Sequence, residues 1–228
     1  SEGHRQTELL RNMTKIMKFI PGKARDLHTF IISHDYLVHS TPENMERFLC
    51  LLTERYVPGY SGKLPVQEPV AYPDLAIYHP DAPGPFADME SYQQWRKAQG
   101  KPVSGGAGKW KGSVGLLTVR AIILSGNTAH LDELIRSIEA QGIEARTVYS
   151  AMLDFRPAID AFLKFDPAHK KTLPPVDLLI NCMAFPLVGG MAGSRPDQAR
   201  EVLEGTDVGY LEMIPLAYQR VEDWREDE

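Results

Sequence analysis

The stretch DLLINCMAFPLVGGMAG, residues 177–193, decides the fold because it changes character in its middle. Its first half, residues 177–184, is a short apolar run of the length expected for a strand buried on both faces of a sheet. Phe185-Pro186 ends that strand, and Gly189-Gly190 then permits backbone angles that are closed to other residues. The loop therefore lies at the carboxyl end of a central strand, where ligands and partners usually bind in open α/β sheets. The alternative is a tight crossover in which the glycines only let a helix pack closely on the sheet.

The sequence on both sides of this stretch alternates between strand and helix patterns. The predicted strands are 114–124, 143–149, 176–184 and 208–214, and the helices between them are 127–141, 156–165 and 196–203. Such alternation implies right-handed crossovers and a parallel sheet with helices on both faces. The predicted fold class is therefore α/β, with a Rossmann-like or flavodoxin-like head. The sheet can borrow further strands from residues 70–80 or from sequence outside the chain.

Three segments are predicted along the chain: a helical segment at 1–62, a connecting segment at 63–112 and the α/β domain at 113–228. The helical segment forms a neck of three helices, the first with an apolar face over 9–20 and the third capped by Thr41 before Pro42. The connecting segment is rich in proline and glycine, and it holds a short strand at 75–78 and a helix at 89–97. Residues 100–112 are predicted to be a flexible linker.

Composition and motifs exclude several functions. A net charge of −5 and a pI near 5.8 argue against nucleic acid or an anionic membrane surface as the main partner. No apolar run approaches the ~20 residues that a transmembrane helix needs. The linker is not an ATP-binding phosphate loop, because Val103 and Trp110 stand where a Walker motif needs glycine and Ser or Thr. The two cysteines, Cys50 and Cys182, are interpreted as small buried hydrophobic residues in a reducing compartment.

Nucleotide binding has no support beyond the fold class. The first strand-to-helix turn, residues 125–130, lacks the three-glycine dinucleotide fingerprint. Asp132 and Glu133 also place negative charge in the first turn of the following helix, where it would repel phosphate. A flavin or nucleotide binder therefore rests on fold analogy alone.

Four polar residues are candidates for function. His79 ends a short strand and is a ligand, a base or a hydrogen-bonding loop residue, while His130 lies near the start of a helix at the carboxyl edge of the first parallel strand. Asp154 most simply caps the following helix. Glu212 lies inside an apolar stretch, so it is either near the end of the sheet or functional. With Gly189 and Gly190, the residues His79, His130 and Glu212 form the set of binding or partner-facing candidates. No nucleophile pair or metal motif is present, so no catalytic residue and no metal ligand is predicted.

Several stretches together resemble the large, porphyrin-binding H subunits of magnesium chelatases, which are related to cobaltochelatase large subunits. The matching stretches are residues 11–24, 40–45, 72–80, 126–130, 153–157, 185–190 and 215–219, with Phe48-Leu49, Arg55-Tyr56, Ala82-Pro83 and Trp224. They occur in the order of the family over nearly the whole chain. The first stretch favours a magnesium chelatase over a cobaltochelatase-type subunit.

The resemblance implies a role in inserting Mg²⁺ into protoporphyrin IX for chlorophyll or bacteriochlorophyll synthesis. In that family the large subunit holds the porphyrin, and two partner subunits related to AAA+ ATPases hydrolyse ATP. The implied location is the bacterial cytoplasm or the plastid stroma, with peripheral membrane association also open. Because family members are several times longer and both termini here look cut, the chain is interpreted as an amino-proximal fragment that is inactive alone. The alternative is a protein-interaction module that binds the ATPase partners or a regulator without touching pigment.

The chain departs from the family pattern at several positions. Residues 181–184 replace a run of Ser, Leu, Thr and Gly, and Met191 stands where proline is usual. Residues 149–152 replace a turn that contains glycine, and Asp81 replaces an apolar residue. These changes leave the fold prediction intact but weaken the expectation that the loops touch porphyrin.

Overall fold

The computed structural model describes residues 23–102, 110–163, 176–189, 193–206, 208–216 and 220–226. The predicted first helix at 9–20, most of the linker and Gly190 lie outside the described residues. The chain forms two compact units, the first comprising residues 1–72 and 124–126, and the second comprising residues 73–123 and 127–228.

The first unit contains two helices, α1 (Lys23–Val38) and α2 (Pro42–Tyr56). The predicted cap of α2 is confirmed, because the Thr41 side chain accepts a hydrogen bond from the Asn44 N–H at 3.1 Å. Asn44 is itself buried and bonds to both backbone groups of Val70, at 2.8 Å each. Ile32, Tyr36 and Leu51 form a small core between the helices.

The second unit is built on a five-stranded sheet of order β1-β3-β2-β4-β5. Its strands are β1 (Leu75–Tyr78), β2 (Ser113–Val119), β3 (Glu144–Ser150), β4 (Leu178–Asn181) and β5 (Gly209–Glu212). Its helices are α3 (Met89–Ala98), α4 (Arg120–Leu124), α5 (Ala129–Ala140), α6 (Arg156–Phe162), α7 (Pro196–Thr206) and α8 (Val221–Glu226). The α/β class is confirmed, and β2 to β5 are parallel as predicted.

The strand borrowed from residues 70–80 makes the sheet mixed, because β1 pairs antiparallel with β3. The predicted parallel arrangement therefore holds for β2 to β5, and the borrowed strand adds an antiparallel edge. The predicted first strand is also too long, since residues 120–124 form a helical turn. A short apolar run does not distinguish a strand from a buried helical turn. Arg120, which begins this turn, donates to Asp74 at 2.7 Å.

Two apolar clusters cover the two faces of the sheet. Leu117, Val148 and Leu179 pack on one face with Phe155 and Ile159, so α6 lies there. On the other face, Leu116, Ala145 and Ile180 pack against Leu131 and Ile135 of α5. Helices on both faces are therefore confirmed. No helix within the described ranges is long and apolar enough to cross a bilayer.

Candidate functional site

The loops that follow β3 and β4 are joined at the carboxyl edge of the sheet. The Gly189 N–H donates to the Leu153 carbonyl at 2.8 Å, and the Phe155 N–H donates to the Leu187 carbonyl at 3.2 Å. An isolated bridge also pairs Asp154 with Val188. Backbone hydrogen bonds therefore join two loops that are more than thirty residues apart in sequence.

This joined pair of loops presents apolar side chains to solvent. Met152 is 69% exposed, Leu153 37% and Phe185 49%, whereas Leu187 and Val188 point into the core. We call Met152, Leu153 and Phe185 the carboxyl-edge surface. Three exposed apolar side chains on these two joined loops, at the ligand-binding edge of an α/β sheet, are suited to bind an apolar ligand or a protein partner.

Asn181 holds the base of this surface in place. Its side chain is fully buried at the end of β4, and its Nδ2 donates to the Phe185 carbonyl at 2.8 Å and to the Tyr210 hydroxyl at 3.3 Å. The Tyr210 hydroxyl donates in turn to Glu212 at 3.0 Å. Burial is the main reason that the pKa of Tyr210 is raised to about 12, so the phenol remains a donor at neutral pH. The β4–β5 pair thereby fixes the start of the Phe185 loop.

An ion pair between Asp154 and Arg156 follows Leu153 in the first of the two loops. Arg156 Nη2 and Asp154 Oδ2 are 2.6 Å apart, and the Asp154 carboxylate also accepts from the Arg156 backbone N–H at 3.1 Å. The hydrogen bond from the Arg156 guanidinium lowers the pKa of Asp154. Asp154 is therefore ionised and accepts from the first backbone N–H of α6, although Phe155 and not Asp154 is the N-cap residue.

The structure places three of the sequence candidates at or near this edge. His130 is exposed in the first turn of α5, and Glu212 is exposed at the end of the edge strand β5. Glu212 therefore lies near the end of the sheet, which accounts for its exposure, and a functional role for it stays a prediction. Gly189 is half-buried, and its φ is outside the left-handed region. Gly189 therefore does not use the backbone angles that glycine permits.

His79 lies at the opposite edge, because β1 runs against the other strands. It is only 2% exposed, and its ring contacts Glu139 in the last turn of α5. His130 is in the first turn of the same helix, roughly 13 Å away along the axis for a rise of 1.5 Å per residue. The structure therefore does not bring the two histidines together.

The polar cluster around His79 connects three segments of the second unit. The Asp81 N–H donates to His79 Nδ1 at 3.1 Å, so Nε2 carries the proton toward Glu139, 3.3 Å away. The Glu139 carboxylate also accepts a hydrogen bond from Arg96 Nη1 at 2.7 Å. The Arg96 guanidinium carbon lies 4.9 Å from the centre of the Trp110 ring, which is a cation–π contact. The cluster connects α3, α5 and the loop after β1. Its buried position indicates structural support for the sheet.

Burial would raise the pKa of Glu139, but hydrogen bonds from His79 and Arg96 outweigh that effect and lower it. A carboxyl whose pKa is lowered by folding contributes stability that is complete above its unfolded pKa and is lost as pH falls through the folded pKa. We therefore expect the Glu139 contribution to begin to fade below about pH 4.5, the ordinary pKa of this group. Urea unfolding at pH 7 and pH 3.5 should show Glu139→Gln to be destabilising at pH 7 and less so at pH 3.5. An equal penalty at both values would contradict this origin of the stability. Glu133→Gln, an exposed carboxylate on the same helix, is the matched control.

Two glycines, Gly189 and Gly142, differ in whether their backbone conformation requires glycine. A Cβ on Gly189 would lie 3.5 Å from the Leu153 carbonyl oxygen, which is an ordinary contact, so Gly189→Ala is expected to change the free energy of unfolding by less than about 0.5 kcal/mol. Gly142 ends α5 with φ +77°, so Gly142→Ala is expected to cost about 1–2 kcal/mol. Denaturant unfolding of both variants provides the measurement. Equal losses would show that Gly189 carries a conformational constraint.

Sequence reasoning missed several members of these clusters. Arg96 and Glu139 are 43 residues apart and match no motif, so only the fold brings them together. Met152 and Asn181 carried a usable signal, since Met152 lies just beyond the predicted strand 143–149 and Asn181 is a polar residue inside the predicted apolar strand 176–184. Cys182 is buried, and burial raises the pKa of its thiol to about 12, which keeps it protonated. Within the described part of the chain, no group of three or more His, Cys, Asp or Glu residues is placed to hold a metal.

Comparison with known proteins gives two family matches. A family model described as CobN/Magnesium Chelatase matches residues 34–228, and a domain of unknown function matches residues 1–31. The magnesium-chelatase H subunit of Rhodobacter capsulatus is 34% identical over 223 residues, which is 97% of this chain and 17% of that protein. The H subunit of Cereibacter sphaeroides is 33% identical over 98% of this chain and 18% of its own length.

A plant relative and one solved structure are also similar. The chloroplastic magnesium-chelatase protein ChlH of Oryza sativa subsp. japonica is 30% identical over 95% of this chain and 16% of its own length. The solved structure is the catalytic subunit of cobaltochelatase from Mycobacterium tuberculosis, with a TM-score of 0.48 and 20% identity over 86% of this chain and 14% of that one. The chain thus spans less than a fifth of the length of these relatives.

Proposed function

The chain belongs to the CobN/magnesium chelatase family, and from this premise we propose that it forms part of the large, porphyrin-binding subunit of a magnesium chelatase. The full subunit would act with partner subunits in the ATP-dependent insertion of Mg²⁺ into protoporphyrin IX. Porphyrin and Mg²⁺ are the substrates of that complex, and ATP is assigned to AAA+-type partners. The proposed location is the bacterial cytoplasm or the plastid stroma.

One observation carries the proposal. The family match extends over residues 34–228, and two bacterial H subunits share about a third of their residues with this chain along nearly its whole length. Local resemblance at one loop would indicate only a shared fold. Similarity over both the helical segment and the α/β unit favours a common role.

The geometry of the carboxyl edge supports a binding role for this part of the protein. Residues 153–157 and 185–189 belong to two of the stretches that resemble the family, and backbone hydrogen bonds join them. Asp74, from a third such stretch, accepts the Ala151 N–H through its carbonyl at 2.7 Å and binds Arg120 through its carboxylate. Three separated stretches therefore meet at one edge of the sheet.

We assign these residues to positioning and docking rather than to chemistry. Metal insertion requires a base that accepts pyrrole protons and oxygen ligands for Mg²⁺ around an enclosed slot. The carboxyl-edge surface is open and apolar, so it is suited to support such a slot and not to form it alone. On this proposal, the 228-residue chain is inactive without the rest of its complex.

Porphyrin binding tests the proposal. We expect the longer natural protein that contains this sequence to quench the fluorescence of a soluble protoporphyrin analogue saturably, at micromolar or lower concentration. An unrelated acidic α/β protein serves as the control for nonspecific binding. No saturable binding by the folded longer protein would contradict the proposal.

The second candidate function is docking of a chelatase partner without pigment contact, and the exposed apolar carboxyl-edge surface favours it. If it applies, the 228-residue chain retains the ATPase-type subunits in a pull-down and does not bind the porphyrin analogue. Phe185→Asp should then weaken retention, whereas Phe30→Asp, at a residue 75% exposed in the first unit, should not. Porphyrin binding that Phe185→Asp weakens would instead place pigment at this surface.

A further inference from the structure

Among the residues that the structure describes, strand β5 is an edge of the sheet. Within the described residues it pairs only with β4, in parallel register from Leu178↔Gly209 to Asn181↔Glu212. The Met213 N–H donates to the Asn181 carbonyl at 2.8 Å. Because hydrogen-bonding direction alternates along a strand, the backbone groups of Leu211 also face β4. Those of Tyr210 and Glu212 therefore point to the open edge.

The side chains along this edge do not protect it. Leu211 is 54% exposed, Met213 43% and Ile214 62%. Natural edge strands are usually shielded by lysine, proline, a bulge or a covering element, because unpaired backbone groups attract other strands. Residues 209–214 contain no lysine or proline. The edge therefore combines unpaired backbone groups with exposed apolar surface, which is the arrangement that accepts an added strand.

Charge indicates what kind of strand fits. The Glu212 carboxylate is exposed, and within the described residues its hydrogen bond is with Tyr210 and not with a basic side chain. Since successive side chains alternate between faces, Glu212 and the pair Leu211 and Met213 lie on opposite faces of the sheet. A matching strand needs basic residues on one face and apolar residues on the other. The net charge of −5 opposes a second copy of this chain and favours a basic partner.

We propose that β5 accepts an extended segment of a partner protein as a sixth strand, and that this segment alternates basic and apolar residues. Its backbone bonds to Tyr210 and Glu212, its apolar side chains pack beside Leu211 and Met213, and a basic side chain pairs with Glu212. The inference does not depend on pigment binding. Its test contains no porphyrin, so its failure is distinguishable from failure of the proposed function.

The test uses the isotopically labelled chain and an acetylated, amidated peptide of sequence Thr-Lys-Val-Lys-Val-Lys-Thr. We expect saturable amide shifts along β5, and hydrogen exchange at the Tyr210 and Glu212 amides slowed about 10-fold when free peptide is ten times its Kd. Glu212→Gln should weaken binding by about 1.5- to 5-fold, as for an exposed ion pair. Glu133→Gln removes another exposed carboxylate, on α5, and should leave affinity unchanged.

Two control peptides identify the binding mode. Proline in place of both the central lysine and the valine before it removes a backbone donor on each side of the peptide strand and should abolish binding, and glutamate in place of each lysine should weaken binding. The proposal is overturned if the proline peptide binds as well as the parent, or if no peptide binds saturably to the folded chain. It is also overturned if the two amides become protected as the chain is concentrated alone, since a second copy then occupies the edge. Protection of both amides in the longer natural protein without any partner would likewise overturn it.

Discussion

Replacing Arg146 with leucine is expected to lower the free energy of unfolding of the second unit by about 3–5 kcal/mol. Arg146 and Glu144 are both buried on β3, and Arg146 Nη2 lies 3.0 Å from Glu144 Oε2. Arg146 Nη1 also donates to the Phe162 carbonyl at 3.0 Å, which connects β3 to the end of α6. Removing the guanidinium would take away the cation that lies 3.0 Å from this carboxylate in a low-dielectric core.

Urea unfolding followed by tryptophan fluorescence measures this loss. All three tryptophans, Trp95, Trp110 and Trp224, belong to the second unit, so the signal reports on that unit. A double variant, Glu144→Met with Arg146→Leu, removes both charges and should recover most of the stability, because apolar replacement of a buried pair is often neutral. A single-variant loss below about 1 kcal/mol, or a double variant no better than the single, would contradict this account.

Replacing Phe155 with alanine is expected to cost about 3–5 kcal/mol, the usual range for a buried phenylalanine. Its ring is fully buried in the cluster that packs α6 on the sheet. The same substitution at Phe185, which is half exposed on the neighbouring loop, should cost less than about 1 kcal/mol. The two variants therefore distinguish a residue that stabilises the fold beneath the carboxyl edge from one that lies on its surface.

Stability and binding are measured on the same two proteins. Phe185→Ala should leave the urea midpoint nearly unchanged and weaken whichever partner or pigment binds the carboxyl-edge surface. Phe155→Ala should shift the midpoint strongly to lower urea. A large loss of stability in Phe185→Ala would show that this ring belongs to the core, and the carboxyl-edge surface would then have to be redefined.

The sequence predicts the parallel part of the sheet well because each strand is a short apolar run between turn signals. Residues 177–184 and the helix pattern over 127–141 carry that prediction, and both elements are present in shorter form. The predicted strands are too long where the apolar run continues past the last backbone hydrogen bond between strands. Residues 120–124 form a helix instead, and at the end of β4 the Asn181 side chain bonds to the Phe185 carbonyl.

The composition of the candidate site was less predictable, because it depends on strand direction and on contacts distant in sequence. Nothing in residues 75–78 shows that the strand runs antiparallel, yet that direction carries His79 to the opposite edge from His130. Gly189 is a candidate because of a conformational freedom that its backbone does not use. Exposure of Glu212 depends on the position of β5 at the end of the sheet, which strand order decides.

Metal insertion is the measurement that tests the central claim most directly. The full-length protein is mixed with ATPase-type chelatase subunits, ATP, Mg²⁺ and a soluble protoporphyrin analogue, and magnesium porphyrin is detected by fluorescence. We predict product that requires the protein, the partner subunits and ATP together. No magnesium porphyrin from a folded protein that binds the analogue would contradict the account, and insertion of Co²⁺ in place of Mg²⁺ would assign the chain to a cobaltochelatase-type large subunit instead.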